Sequence, residues 1–135
     1  MENYIKDPLC YAKDVVAKDP MATFLGIEAD EVRNGYARCS VTIRPEFLNA
    51  VERAHGAIIY AVMDQAFAVA SNSTGNIAVS VNFSVNYISA AVDGEKIFAE
   101  ATPVNIGKKV SVWRIEVRGK GDKIIASGEG VAYHK

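Results

Sequence analysis

The stretch His55-Gly56-Ala57-Ile58-Ile59-Tyr60-Ala61-Val62-Met63-Asp64-Gln65-Ala66-Phe67-Ala68-Val69-Ala70-Ser71-Asn72 decides how the rest of the chain can fold. Between Ala57 and Ala70 only Asp64 and Gln65 are strongly polar. Alanine is abundant and neither Pro nor Gly interrupts the run, so helix propensity is high. Apolar side chains fall on every side, which predicts a buried helix rather than a half-wet one. At 1.5 Å per residue the run is about 21 Å long. That is too short, and too interrupted by Asp64, to span a bilayer. The segment therefore predicts the central helix of a soluble domain, carrying one carboxylate where burial is costly.

Asp64 has small neighbours. At helical spacings of three, four and seven it meets Ala57, Tyr60, Ala61, Phe67, Ala68 and Ser71. Small residues beside a buried acid leave room for another molecule. An apolar surround would also raise the carboxyl pKa toward the range useful for a general base or nucleophile. The plainer alternative is a buried Asp hydrogen-bonded across a subunit interface, with no chemistry.

Around this helix, 135 residues with 50% hydrophobic content fit one domain, 1–135, with a sizeable core. The net charge of −1 and scattered basic residues leave no electrostatic footprint for nucleic acid. Met1 to Pro8 has no charged start followed by an apolar run, so no signal peptide is expected there. Cys10 and Cys39 stand apart and without clustered His, which argues against a zinc site or a disulfide framework. Both are expected to be small buried or half-buried side chains. A cytoplasmic protein without a metal is the default.

Before the central helix, Asp7-Pro8 is a helix entry, an N-cap acid followed by Pro. A short amphipathic helix is expected over about 8–18, with Leu9, Ala12, Val15 and Val16 on one side and Asp19-Pro20 as its end. Phe24-Leu25-Gly26-Ile27 and Val32 read as a first strand, and Asn34-Gly35 as a hairpin turn. From Tyr36 to Ile43 the chain alternates, with Ala37, Cys39, Val41 and Ile43 on one face, as in a half-buried antiparallel strand. Pro45 to Arg53 is a loop into the helix.

Beyond the helix, Ser73-Thr74-Gly75-Asn76 is a turn and Ile77 to Val92 a long strand. Asp93-Gly94 turns the chain. Strands over about Lys96–Asn105, Lys109–Arg118 and Lys123–Tyr133 follow, with Pro103 marking a bulge or an edge position. Strands grouped about one apolar helix give an α+β layer fold, a curved antiparallel sheet over that helix. One sheet cannot cover every side of so apolar a helix. A second copy of the chain is the simplest cover.

His55-Gly56-Ala57 opening a buried helix, with Asn49 six residues earlier and Asp64 nine later, resembles the hotdog-fold acyl-CoA thioesterases of the phenylacetate-pathway (PaaI-like) family. The resemblance covers about residues 24–133, including the strand order and the Gly107-Lys108-Lys109 turn. It implies that Asp64 is the catalytic carboxylate, attacking the thioester carbonyl or activating a water. It implies that the Gly56 N–H polarises that carbonyl, which suits the free amides and positive dipole end of a helix N-terminus. Lacking Cβ, Gly56 also lets a thioester approach the backbone. His55 and Asn49 would position the thioester and order the loop. Alternatively His55 is only a helix cap and Asn49 only a turn residue.

Gly56 and Asp64 are eight residues apart, about 12 Å along one helix axis. A single carbonyl cannot meet both at about 3 Å. Two antiparallel helices side by side would bring Gly56 of one chain to Asp64 of the other, the shared site that the resemblance implies. One departure is Ala57, where the family usually has a second Gly. Its N–H remains, but the added methyl could narrow the pocket or shift acyl preference. Lys108 and Lys109 could meet coenzyme A phosphates, or form a solvated hairpin pair. Asn82, Ser84 and Asn86 share one strand face, either in solvent or lining a tunnel, and Asn86 and Tyr87 are further substrate-contact candidates. Trp113 reads as packing.

The resemblance implies a homodimer or homotetramer (a dimer of dimers) that hydrolyses an aryl- or medium-chain acyl-CoA to free acid and CoA. No metal or redox cofactor is implied, coenzyme A being part of the substrate. Fold alone would not license this activity. A non-catalytic acyl-CoA-binding or regulatory protein and an acyl-thioester hydratase are the alternatives. The hydratase would need an acid/base pair about the acyl chain, and only Asp64 stands out as a buried acid.

Overall fold

The computed structural model describes residues 6–135; residues 1–5, most of the stretch scanned for a signal peptide, lie outside them. The Asp7 side chain accepts the Cys10 N–H at 3.0 Å and starts α1 (Pro8–Asp14). This helix is shorter than expected, and a 3-10 turn takes Val16–Lys18. Cys10 is exposed rather than buried, its Sγ 3.0 Å from Asp14 Oδ2, whereas Cys39 is buried.

Asp19-Pro20, expected to end a helix, begins one. Asp19 Oδ1 accepts the Ala22 N–H at 3.0 Å and α2 spans Pro20–Leu25. Phe24 and Leu25 are therefore helical and not part of the first strand. The physical reason is that Asp-Pro supplies the same cap and the same preset φ here as at Asp7-Pro8. Gly26 closes α2 at φ 75°, a left-handed conformation that costs glycine little.

β1 (Glu28–Arg33) and β2 (Tyr36–Thr42) form the Asn34-Gly35 hairpin. Ala37, Cys39 and Val41 are buried as the alternation requires, but Ser40 on the opposite face is buried too. The central helix is α3 (Gly56–Ser71). β3 (Ala78–Tyr87) stops five residues before the expected Val92; past it, the Ile88 and Ser89 amides share the Ile125 carbonyl and the strand ends. β4 (Lys96–Ile106), β5 (Val110–Arg118) and β6 (Ile124–His134) lie within a residue of expectation. Pro103 sits at a bulge of β4 against β5.

The six strands form one antiparallel sheet in the order β1-β2-β4-β5-β6-β3, so β1 and β3 are its edges. α3 packs on the sheet, chiefly on β2, β4 and β5. Close approach on β6 depends on two glycines. A Cβ at Gly130 would come within 2.5 Å of the Phe67 ring, and one at Gly128 within 2.7 Å of the Ser84 carbonyl oxygen. Ile58, Val62, Met63, Phe67 and Val69 fill the core with Trp113. The Trp113 Nε1–H donates to Ser111 Oγ at 2.7 Å, and that hydroxyl lies 2.7 Å from His134 Nε2, so this buried indole is satisfied.

α3 is not buried all round. Ala57 and Tyr60 are exposed, and Ala61, Asp64 and Ala68 are half-buried, which leaves one stripe along the helix uncovered by its own sheet. No helix among the described residues is long and apolar enough to cross a membrane.

Candidate active site

The N-terminus of α3 is set by the loop before it. The Asn49 side-chain oxygen is committed to that loop. Its Oδ1 accepts the amides of Val51 and Arg53, both at 3.0 Å, around Glu52 at φ 59°. The His55 N–H donates to the Phe47 carbonyl at 2.8 Å and the Ala54 N–H to the Ala91 carbonyl at 2.9 Å, anchoring the helix start from two sides.

His55 is the N-cap of α3, and its Nδ1 accepts the Ala57 N–H at 2.9 Å. With Nδ1 as acceptor, the neutral ring carries its proton on Nε2, which leaves one N–H to donate. Gly56, the first residue of α3, has an N–H without a hydrogen-bond partner among the described residues. The amide of Ala57 is thus capped, and that of Gly56 is open at the positive end of the helix dipole. Tyr87 reaches this point from β3. A β-carbon on Gly56 would lie 3.4 Å from its ring and 3.6 Å from its hydroxyl oxygen. Asn86 alternates to the other face of β3, away from Gly56.

Asp64, two turns along α3, lines a cavity of about 610 Å³. Ala57, Ala61 and Ala68 line it from α3, Met21 and Leu25 from α2, and Phe47 from the segment before α3. His55 stands at the cavity too. The Asp64 carboxylate accepts no hydrogen bond among the described residues, and burial pushes its pKa up, with a smaller push from the charge of Asp19. Gln65 next to it is occupied, donating from Nε2 to the Val16 carbonyl at 2.8 Å. A carboxylate of this kind can take a proton from a water or attack a carbonyl.

Within one chain Asp64 and Gly56 remain two helical turns apart. Lys108 and Lys109 are further removed: Lys108 borders a hollow with Thr74, Gly75 and Asn76, just beyond the C-terminal end of α3, and the Lys109 ammonium lies 6.0 Å from the Tyr133 ring centroid. The α2 side of the cavity, with Asp19, Met21 and Leu25, went unrecognised in the sequence. The repeated Asp-Pro pair was the signal that could have found it. Among the described residues no group of three or more His, Cys, Asp or Glu is placed to hold a metal.

Residues 52–126 match the family model of the thioesterase superfamily. The chain belongs to that superfamily. A relative from Archaeoglobus fulgidus named "Putative esterase" is 39% identical over 90% of this chain and 79% of its own length. The acyl-coenzyme A thioesterase PaaI of Escherichia coli is 29% identical over 85% of this chain and 82% of its own. The solved structure of the E. coli PaaI protein from the phenylacetic acid degradation operon superimposes with a TM-score of 0.91, at 26% identity, over 96% of this chain and 94% of that one. The fold is the hotdog fold, and this thioesterase is PaaI-like and by class a thioester hydrolase. The matched segment holds His55, Gly56, Asp64 and Tyr87, while Asn49 and the α2 wall of the cavity lie before it.

Proposed function

We propose that this thioesterase hydrolyses an aryl- or medium-chain acyl-CoA to the free acid and CoA, with Asp64 as nucleophile or general base. The observation that carries this is the Asp64 carboxylate, unpartnered in a cavity of about 610 Å³ with apolar walls. Half-buried and without a hydrogen bond among the described residues, this carboxylate is free to act on a molecule held in the cavity. The Gly56 N–H receives the thioester oxygen as negative charge develops on it. The His55 Nε2–H is a second donor at the cavity, and Asn49 acts through the loop it holds together.

Because Gly56 and Asp64 are about 12 Å apart on one axis, the site is shared between subunits. Two α3 helices lie antiparallel, so that Gly56 faces Asp64 of the partner subunit. Support comes from the open stripe of Ala57, Tyr60, Ala61, Asp64 and Ala68, which such a pairing covers. Further support comes from β3, an edge strand beside that stripe with Val79 and Val81 exposed. The same pairing turns the partner's Lys108 and Lys109 toward the Gly56 end, where they offer cations to the coenzyme A phosphates. Ala57 and Tyr87 border the path of the thioester, and Asn86 has no part in it. The assembly is a homodimer or a dimer of dimers, working in the cytoplasm without a metal or redox cofactor.

The test is thiol release from a panel of aryl- and alkyl-CoA thioesters, wild type beside Asp64→Asn. Loss of a positioned base lowers turnover on the order of 10²-fold or more with the fold intact. Equal rates in the two proteins would sink the mechanism. Acyl-CoA that raises the melting temperature without being cleaved would favour a binding protein.

A further inference from the structure

The cavity beside Asp64 is apolar in bulk, but its charged groups all have one sign. Asp19, Glu46 and Asp64 line it, and no Lys or Arg does among the described residues. Glu46 has a counter-ion, its Oε1 lying 3.4 Å from Arg44 Nε. Asp19 and Asp64 have no ion-pair partner within 4.0 Å among the described residues. Asp19 is half-buried at the start of α2, with Oδ1 committed to the Ala22 amide. Its negative charge is therefore held at the cavity wall by a helix cap, not carried on a mobile side chain.

We propose that this cavity receives the acyl group and that Asp19 makes it selective for uncharged acyl groups over those ending in a carboxylate, an inference that rests on the thioesterase reading above. An anionic tail entering here gives up its hydration among Met21, Leu25 and Phe47, and the cation next to the wall, Arg44, is already paired with Glu46 and stacked over the Phe47 ring. It also stands against the fixed charge of Asp19, and like-charge juxtaposition is an effective means of rejecting a wrong ligand. An uncharged alkyl or aryl tail packs on the apolar part of the lining, Met21, Leu25, Phe47 and the α3 alanines, and meets no like charge. Asp19 also acts on Asp64, whose pKa its charge helps to raise, so the two carboxylates are near enough to sense each other. Asp19 is thus a specificity-determining residue, distinct from the base.

Two substrates separate charge from size: hexanoyl-CoA, and glutaryl-CoA, in which a carboxylate replaces the apolar chain end. Wild type is expected to favour hexanoyl-CoA in kcat/KM. In Asp19→Asn that preference falls by about tenfold, chiefly through the KM for glutaryl-CoA, as expected for removing one like charge several ångströms away in a partly screened site. Asparagine caps helices as well as aspartate does, so α2 is retained, and Asp19→Ser is a second capping variant without the charge. Calorimetric binding of both thioesters to Asp64→Asn, with and without Asp19→Asn, gives the same ratio independently of turnover. A ratio unchanged by both Asp19 variants overturns the proposal and assigns any discrimination to the apolar walls. Binding that discriminates through Asp19 without any hydrolysis by wild type would uphold Asp19 and refute the hydrolytic function. No binding of either thioester overturns both.

Discussion

His55 Nδ1 accepts the amide of Ala57 at 2.9 Å, so the residue that opens α3 also decides which of its first amides stays open. Capping Ala57 leaves the Gly56 N–H open and leaves Nε2 as the nitrogen of the neutral His55 ring that carries the proton. The two roles of His55 can be separated. His55→Asn keeps a strong cap but lacks Nε2–H, whereas His55→Ala loses both. We expect His55→Ala to lose about 1 kcal/mol of stability and His55→Asn to melt near wild type, with thiol release reduced in both. Full activity in His55→Asn would leave the imidazole as a cap alone.

Gly56 faces the Tyr87 ring at a distance an alanine would tolerate, since a new β-carbon 3.4 Å from the nearest ring carbon is in ordinary contact. Alanine is also the better helix former. Gly56→Ala should therefore melt at or above the wild-type temperature. Its turnover should fall on the order of 10²-fold, the effect of displacing a reacting carbonyl by about 1 Å. Scanning calorimetry beside a thiol-release assay checks both halves. A parallel fall in stability would mean that the glycine serves packing instead.

If Gly56 faces Asp64 of the partner subunit, Tyr60, midway between them, faces its own copy at the two-fold axis. Helices packed about 8–10 Å apart bring facing β-carbons within disulfide reach. Tyr60→Cys, made in a Cys10→Ser background because Cys10 is exposed, should give a cross-linked dimer on a non-reducing gel under mild oxidation. Ala68→Cys, two turns away on the same stripe, should not. Failure of Tyr60→Cys to cross-link, in a protein still dimeric by light scattering, would rule out this helix pairing.

Burial, and to a lesser degree Asp19, holds the Asp64 pKa above its ordinary value. A carboxyl whose folded-state pKa is raised contributes stability that is complete below its unfolded pKa, about 4, and is lost as pH rises through the folded value. Ionised Asp64 therefore costs stability at pH 7. Asp64→Asn should unfold at a higher denaturant concentration than wild type at pH 7, with the difference shrinking toward pH 4. Activity has the opposite sign, because the base must be ionised. The acid limb of kcat should lie above the ordinary Asp pKa, and Asp19→Asn should move it down.

Much of this was legible in residues. The unbroken apolar run from Ala57 to Ala70 required a helix, and Asn34-Gly35 and the alternation after Tyr36 required a hairpin, because these signals depend on local backbone preference and side-chain period. The Asn49, His55, Gly56 and Asp64 spacing places the candidate residues at the N-terminus of that helix and on its uncovered stripe. Other features were hidden because they depend on what a segment meets. Asp19-Pro20 is as good a helix start as a helix stop, and only the Ala22 amide on Asp19 Oδ1 decides between them. For Asn49 the sequence left a thioester contact and a turn bond both open, and the structure shows its Oδ1 accepting the Val51 and Arg53 amides.

By itself the sequence determined the apolar helix α3, the lone carboxylate on it, the Asn34-Gly35 hairpin and the last three strands, since each follows from short-range propensity and period. Only the tertiary structure decided the sheet order β1-β2-β4-β5-β6-β3, the seating of Phe67 against Gly130, and the α2 residues that line the cavity with Asp64. Those depend on contacts between residues distant in the chain, whose closeness no local pattern encodes. The stripe from Ala57 to Ala68 stays open for the same reason: one sheet covers only part of a helix that is apolar on nearly every side.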